Sequence, residues 1–124
     1  MRIKQGNIYW VPLRDEPDAI THPHVVIQDD VFNESRIDTV VVCALSTNMR
    51  KAKDPGNVLL EVGEADLPKQ SIVVVSQVST VDKAQLGAYI GSLAPQRVDE
   101  ILAGMKFIQT MMAHRDQIAG EKDD

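Results

Sequence analysis

The sequence predicts an α+β domain that is mostly β: a small, strongly bent, SH3-like antiparallel barrel with one amphipathic helix at its C-terminus. Five or six short runs of strand character follow one another between Asn7 and Leu93, joined by polar loops that carry glycine and proline. At Pro95 the apolar period changes to that of a helix. Meandering strands with short connections can close into a barrel without crossover helices. A chain of 124 residues holds one domain with a real core, and not two.

The first strand is Asn7 to Leu13, mixed aromatic and aliphatic around Trp10. A polar loop from Arg14 to Thr21 follows, then a second strand from about Pro23 to Gln28. Thr39 to Leu45 is a third strand, so rich in valine that both its faces should be covered. Ser46 to Asn57 is a loop with Pro55-Gly56 and three cations, Arg50, Lys51 and Lys53. Val58 to Val62 is a fourth strand and Gln70 to Val78 a fifth, separated by the loop around Leu67-Pro68-Lys69. Val81-Asp82-Lys83 reads as a turn, and Leu86 to Leu93 as a sixth strand weakened by Gly87 and Gly91. Proline is well tolerated at a first helical position, and Val98, Ile101, Leu102, Met105, Ile108 and Met112 repeat at helical spacing. Pro95 to about Arg115 is therefore one helix whose apolar stripe caps the sheet. A single domain over 1–115 leaves 116–124 as a solvated, acidic, disordered tail.

Composition narrows the function. With 44% hydrophobic and 25% charged residues, the chain is an ordinary globular one. No apolar stretch approaches the roughly 20 residues of a membrane helix, and Met1-Arg2-Ile3-Lys4-Gln5-Gly6 lacks the apolar core of a secretory signal, so a cytoplasmic location is expected. The single cysteine, Cys43, sits among Val40, Val41, Val42, Ala44 and Leu45 and reads as core filler. A net charge of −5 argues against bulk, nonspecific nucleic-acid binding, and DNA is not expected as a partner, yet a local basic groove remains compatible with it.

Phosphate loops, dinucleotide fingerprints, paired cysteines and zinc-helix motifs are all missing from the sequence. His22 and His24, two apart on a strand, point to one face. A metal site would need further ligands, for which Asp29 and Asp30 lie too far along the strand, so neither metal nor other cofactor is expected. Ser46 and Thr47 at a strand end read as turn formers or as hydroxyl donors. Arg50, Lys51 and Lys53, without an interleaved acid before Asp54, read as a solvated loop or as phosphate contacts.

Over Gly6 to about Ile108 the order of segments resembles the MazF/PemK toxins of bacterial toxin–antitoxin pairs, within the CcdB/MazF/Kid-like fold group. The matching stretches are Gly6 to Trp10, Pro23 to Asn33, Leu45-Ser46-Thr47-Asn48, Ser71 to Lys83, and Leu86 with Ile90 to Leu93. None is diagnostic alone; their common register is. The resemblance implies a homodimeric, metal-free endoribonuclease, an mRNA interferase cutting single-stranded RNA at short sequences until a MazE-like antitoxin fills its groove. It maps catalytic positions onto His22, Ser46 and Thr47, and RNA contacts onto Glu16, His24, Asn48, Arg50, Lys51, Lys53, Gln77 and Thr80. In the family the position of His22 carries an arginine. Histidine moves protons near neutral pH but is only fractionally charged, whereas arginine always carries its charge and forks onto two oxygens. The alternative reading is therefore a catalytically weakened SH3-like module that binds RNA or a protein partner. A gyrase poison like CcdB shares the fold but ends in a hydrophobic tail with tryptophan, and the only tryptophan here is Trp10.

Overall fold

The computed structural model describes residues 2–13, 16 and 18–122, with side chains through residue 113. Six strands, β1 (Asn7–Pro12), β2 (Thr21–Val26), β3 (Thr39–Ser46), β4 (Val58–Leu60), β5 (Ser71–Asp82) and β6 (Tyr89–Ser92), form one sheet in the order β4-β5-β3-β2-β1-β6. Every neighbouring pair is antiparallel. The helices are α1 (Asp30–Asn33) and α2 (Pro95–Lys122). The sheet curls into a half-barrel with α2 packed on β4 and β5, which is the bent antiparallel architecture expected.

The curl has a local cause in β5. Cys43 faces Val78 while Leu45 faces Val73, so the register slips and Val74–Gln77 lie between two separate ladders. Extra residues on one strand bend it and increase its twist. As a result Ser71–Val75 enter the core and Ser76–Thr80 stand exposed. The strand also runs further than expected. Val40 pairs with Val81 and Thr39 with Asp82, and the turn moves to Lys83–Gln85, where the Gln85 side chain accepts the Asp82 N–H at 2.9 Å.

Both faces of β3 are covered, as its valine content requires. Cys43 and Leu45 join one cluster with Ile8, Val25, Leu60, Val73 and Ile101, and Val40 and Val42 join another with Tyr9, Val11 and Val26. Each such side chain contributes roughly 1.5–3 kcal/mol through burial. Cys43 packs with its thiol donating to the Val74 carbonyl at 3.1 Å, and burial pushes its pKa up to about 12, so it is core filler and no nucleophile.

Two segments depart from the periodicity. Residues 30–33 form a short helix because the Asp29 carboxylate accepts the Val31 N–H at 2.9 Å and the buried Asn33 amide donates to Gln28 and Asp30. Asp30 also accepts the Gln5 N–H at 2.7 Å, and these bonds lower its pKa. In α2, Val98 and Ile101 are buried and Met105 and Ile108 partly so, but Leu102 and Met112 are 37% and 61% exposed. The expected stripe is longer than the sheet it covers. The helix backbone continues past Arg115 to Lys122, since Asp116-Gln117-Ile118-Ala119 contains no breaker; Asp123 and Asp124 of the expected tail lie outside the described residues. Among the described residues no helix is long and apolar enough to cross a membrane.

Candidate active site

β2 pairs with β3 only from His24 to Val26, whereas its pairing with β1 extends back to Thr21. The missing N–H of Pro23 therefore costs no ladder bond on the β3 side, and Thr21–Pro23 project beyond β3. Together with Trp10 of β1 they form one wall of a cavity of about 230 Å³. Thr47, just past the end of β3, forms another. Leu67, Pro68 and Lys69 of the β4–β5 connection and Ser71 of β5 complete it. The fold thus brings His22 and Thr47 together from separate parts of the chain, and adds a cation, Lys69, that the sequence reading did not single out.

The β4–β5 connection is pinned. Gly63, Ala65 and Asp66 have φ of 89°, 49° and 59°, a left-handed run that costs about 1–2 kcal/mol at each non-glycine residue. Opposing that cost, Arg97 of α2 forks onto Glu64 with bonds of 2.8 and 2.9 Å and reaches Glu100 at 2.8 Å. Glu64 also accepts the Glu61 N–H at 2.7 Å. The Arg97 guanidinium holds the Glu64 carboxyl below its ordinary pKa, and the Arg97 pKa is raised in turn. Leu67 is buried, and the backbone of the turn lies directly on β6, where a Cβ on Gly91 would run into the Ala65 carbonyl.

Ser46 has a different position from Thr47. Its Oγ accepts the Asn48 N–H at 3.1 Å, and Asn48 in turn accepts the Arg50 N–H at 3.1 Å, capping the 3₁₀ turn Met49–Lys53. Ser46 does not line the cavity, although its own hydroxyl proton is left to donate. Arg50, Lys51 and Lys53 all ride on that turn, directly after Thr47, and none has an ion pair among the described residues.

A second, larger cavity of about 380 Å³ is lined by His24 and Thr80 with Ser79, Asp82 and Gln85. His24 is buried, its Nδ1 lies 2.9 Å from the His22 carbonyl, and a carbonyl only accepts, so Nδ1 carries the proton. Desolvation lowers the His24 pKa, only partly offset by that bond, and keeps the ring neutral. A buried, neutral, already engaged imidazole is a poorer proton carrier than the half-buried His22, so the smaller cavity is the better candidate. Gln77 is exposed at the bend of β5, and Glu16 is exposed in the β1–β2 connection, where Arg14, Asp15 and Pro17 lie outside the described residues. Asp29 and Asp30 are occupied by their backbone bonds, and no group of three or more metal-ligating side chains occurs among the described residues.

Trp10, Pro68, Lys69 and Ser71 were not legible as site residues. Trp10 read as a strand centre and Leu67-Pro68-Lys69 as a plain loop, and no local spacing connects them to His22.

Residues 4–108 match the family model described as PemK-like, MazF-like toxin of type II toxin–antitoxin systems. The chain is 32% identical over 109 residues to endoribonuclease MazF6 of Mycobacterium tuberculosis and to endoribonuclease MazF2 of Mycobacterium bovis, covering 86% of this chain and 96% of each relative. Solved structures share the fold. A mycobacterial endoribonuclease in complex with its cognate antitoxin superposes with a TM-score of 0.68 at 22% identity, covering 82% of this chain and 89% of that one. A MazE–MazF crystal structure from Deinococcus radiodurans gives 0.69 at 10% identity over 89% and 98%. The chain belongs to the PemK-like, MazF-like toxins of type II toxin–antitoxin systems, a family of endoribonucleases.

Proposed function

We propose that this chain cleaves single-stranded RNA without a metal. The ribose 2′-hydroxyl attacks the adjacent phosphorus, the bond to the 5′ oxygen breaks, and the products are a 2′,3′-cyclic phosphate and a 5′-hydroxyl. The observation that carries this reading is the meeting of His22 and Thr47 in one cavity, with Arg50, Lys51 and Lys53 on the turn that follows. The His22 imidazole accepts the 2′-hydroxyl proton and returns a proton to the departing 5′ oxygen. The Thr47 hydroxyl donates to a non-bridging phosphate oxygen, with Ser46 as a second donor beside it. The cations of the turn hold flanking phosphates, while Glu16, His24, Asn48, Gln77 and Thr80 line the path of the strand on either side.

The working form is a homodimer in the cytoplasm, inhibited by a MazE-like antitoxin laid over the RNA path. Exposed Leu102, Phe107, Met111 and Met112 on α2 support a second copy, as apolar side chains that a two-fold partner would cover. The antitoxin is supported by the relatives crystallised with theirs.

The test is cleavage of a defined single-stranded RNA in EDTA, with the product ends identified by mass spectrometry. A cyclic phosphate and a 5′-hydroxyl are expected, and a substrate carrying a 2′-deoxyribose at the cut should survive. Intact RNA that is nevertheless bound would establish the binding-module reading instead. Cleavage of the 2′-deoxy substrate would require an activated water and overturn the mechanism.

A further inference from the structure

We propose that Lys69 supplies the permanent positive charge that stabilises the phosphorane in this site, acting as a catalytic residue alongside His22 and Thr47. This rests on the endoribonuclease reading of the same cavity and adds to it a group that neither periodicity nor spacing marks.

The cavity contains a proton carrier, His22, and hydroxyl groups on Thr47 and Ser71, but among the described residues Lys69 is the only lysine or arginine that lines it. The reaction needs such a charge. As the 2′ oxygen attacks, the phosphorus becomes five-coordinate and a second negative charge develops on its non-bridging oxygens. A histidine acting as base must start neutral, so it offers no positive charge until the proton has moved. Neutral hydroxyls donate only weakly compared with a charged group. Arg50, Lys51 and Lys53 lie on the turn beyond Thr47 and do not line the cavity, which suits them to flanking phosphates.

The position of Lys69 is built rather than incidental. Its carbonyl accepts the Ser71 hydroxyl at 2.9 Å, which ties the residue to the start of β5. Two residues earlier Leu67 is 2% exposed and its carbonyl accepts the Gly63 N–H at 3.2 Å. The whole connection is fastened to α2 by the Glu64–Arg97 fork. Among the described residues no carboxylate pairs with the Lys69 ammonium, so its charge is not already neutralised. A backbone fixed at both ends with a free ammonium on an exposed stem is what a phosphate-facing point charge requires.

The experiment measures single-turnover cleavage at saturating RNA, and separately the affinity for an uncleavable 2′-deoxy RNA, for wild type, Lys69→Met, Lys69→Arg, His22→Arg, and Lys69→Met combined with His22→Arg. Thermal unfolding verifies that each variant folds, and Lys69→Gln replaces Lys69→Met if the latter does not. Lys69→Met should slow cleavage about a hundredfold, the usual effect of losing one transition-state donor, while affinity for the 2′-deoxy RNA falls less than about tenfold. Lys69→Arg should stay within about tenfold of wild type. In the His22→Arg background the loss should shrink to about tenfold or less, since a second permanent cation then faces the phosphate. A Lys69→Met protein that cleaves within about threefold of wild type overturns the proposal. So does one that loses affinity but keeps its saturated rate, because that describes a binding cation. Absence of cleavage by wild type and by His22→Arg would defeat the endoribonuclease reading itself and this proposal with it.

Discussion

The β4–β5 connection is held at Glu64 by a two-pronged guanidinium from α2, whereas the β3–β4 connection is held by neutral bonds and carries three cations without an ion pair among the described residues. In the latter, Asn57 donates to the Lys51 carbonyl at 2.9 Å and accepts the Val75 N–H at 3.1 Å, and Gly56 lies against the α2 backbone at Gly104, where a Cβ on either residue would clash. The first loop uses Glu64 to fasten itself and leaves Lys69 for a ligand; the second leaves all three of its cations. Both flank the cavity between His22 and Thr47, so the fastening and most of the flanking positive charge come from separate, separately mutable segments.

The largest effect should come from the cavity between the loops. His22→Ala should reduce cleavage about a hundredfold or more, the scale of one general acid–base group, whereas His22→Arg should not weaken it, because a permanent forked cation on the phosphorane replaces proton transfer by the imidazole. An alanine variant with the wild-type rate would remove His22 from the mechanism and leave Ser46, Thr47 and the cations to explain the site.

Next comes the pinned loop. Gly91→Ala places a Cβ against the Ala65 carbonyl, so the turn must lift from β6, and a loss of about 1–3 kcal/mol in urea unfolding is expected together with slower cleavage. Unchanged stability would show that the turn shifts freely and is not pinned as described.

Arg97→Met should cost about 1–3 kcal/mol at pH 7, because a charged, partly buried fork is lost and Glu64 is left without it. The pH dependence has a definite sign. The folded-state pKa of Glu64 lies below its unfolded value, so its stabilisation is complete above the usual carboxylate range, near about 4.3, and is lost as pH falls through the lowered folded value. Stability of wild type should therefore fall more steeply than that of Arg97→Met over that acidic window. Parallel curves would mean that the fork contributes no net stability.

The smallest effect on the fold should come from the basic turn. Alanine at Arg50, Lys51 and Lys53 together should leave thermal stability within about 0.5 kcal/mol and reduce the salt slope of RNA binding by at most about three. A lower melting temperature with an unchanged slope would reverse the comparison and make this turn the structural loop.

Much of the fold was legible because alternation and helical spacing are local. Val40, Val42, Cys43 and Leu45 announce a strand buried on both sides, and Pro95, Val98 and Ile101 announce the helix start and its inward face. The bend of β5 was not legible. Nothing in Val74-Val75-Ser76-Gln77 marks a slip, which separates Ile72 and Val73, paired with β3 on one side and β4 on the other, from Val78–Asp82, paired with β3 alone. Leu102 and Met112 followed the helical period yet stayed exposed, since period specifies a face and not how far the sheet beneath it extends. The site was half legible. His22 and Thr47 could be named from resemblance, but Lys69 could not, because a lysine in a loop has no periodicity to betray its neighbours.

What the sequence determined by itself was therefore the class of most segments, the packing role of Cys43 and the chemical types available to a site. Those follow from side-chain volume, polarity and spacing along a few residues. Only the tertiary structure decided which residues share a cavity. His22, Thr47 and Lys69 meet because β2 overruns β3, β3 ends at Ser46, and the Glu64–Arg97 fork holds a strained loop across the opening. Those are contacts between segments far apart in the chain, and their energies depend on the whole sheet being formed.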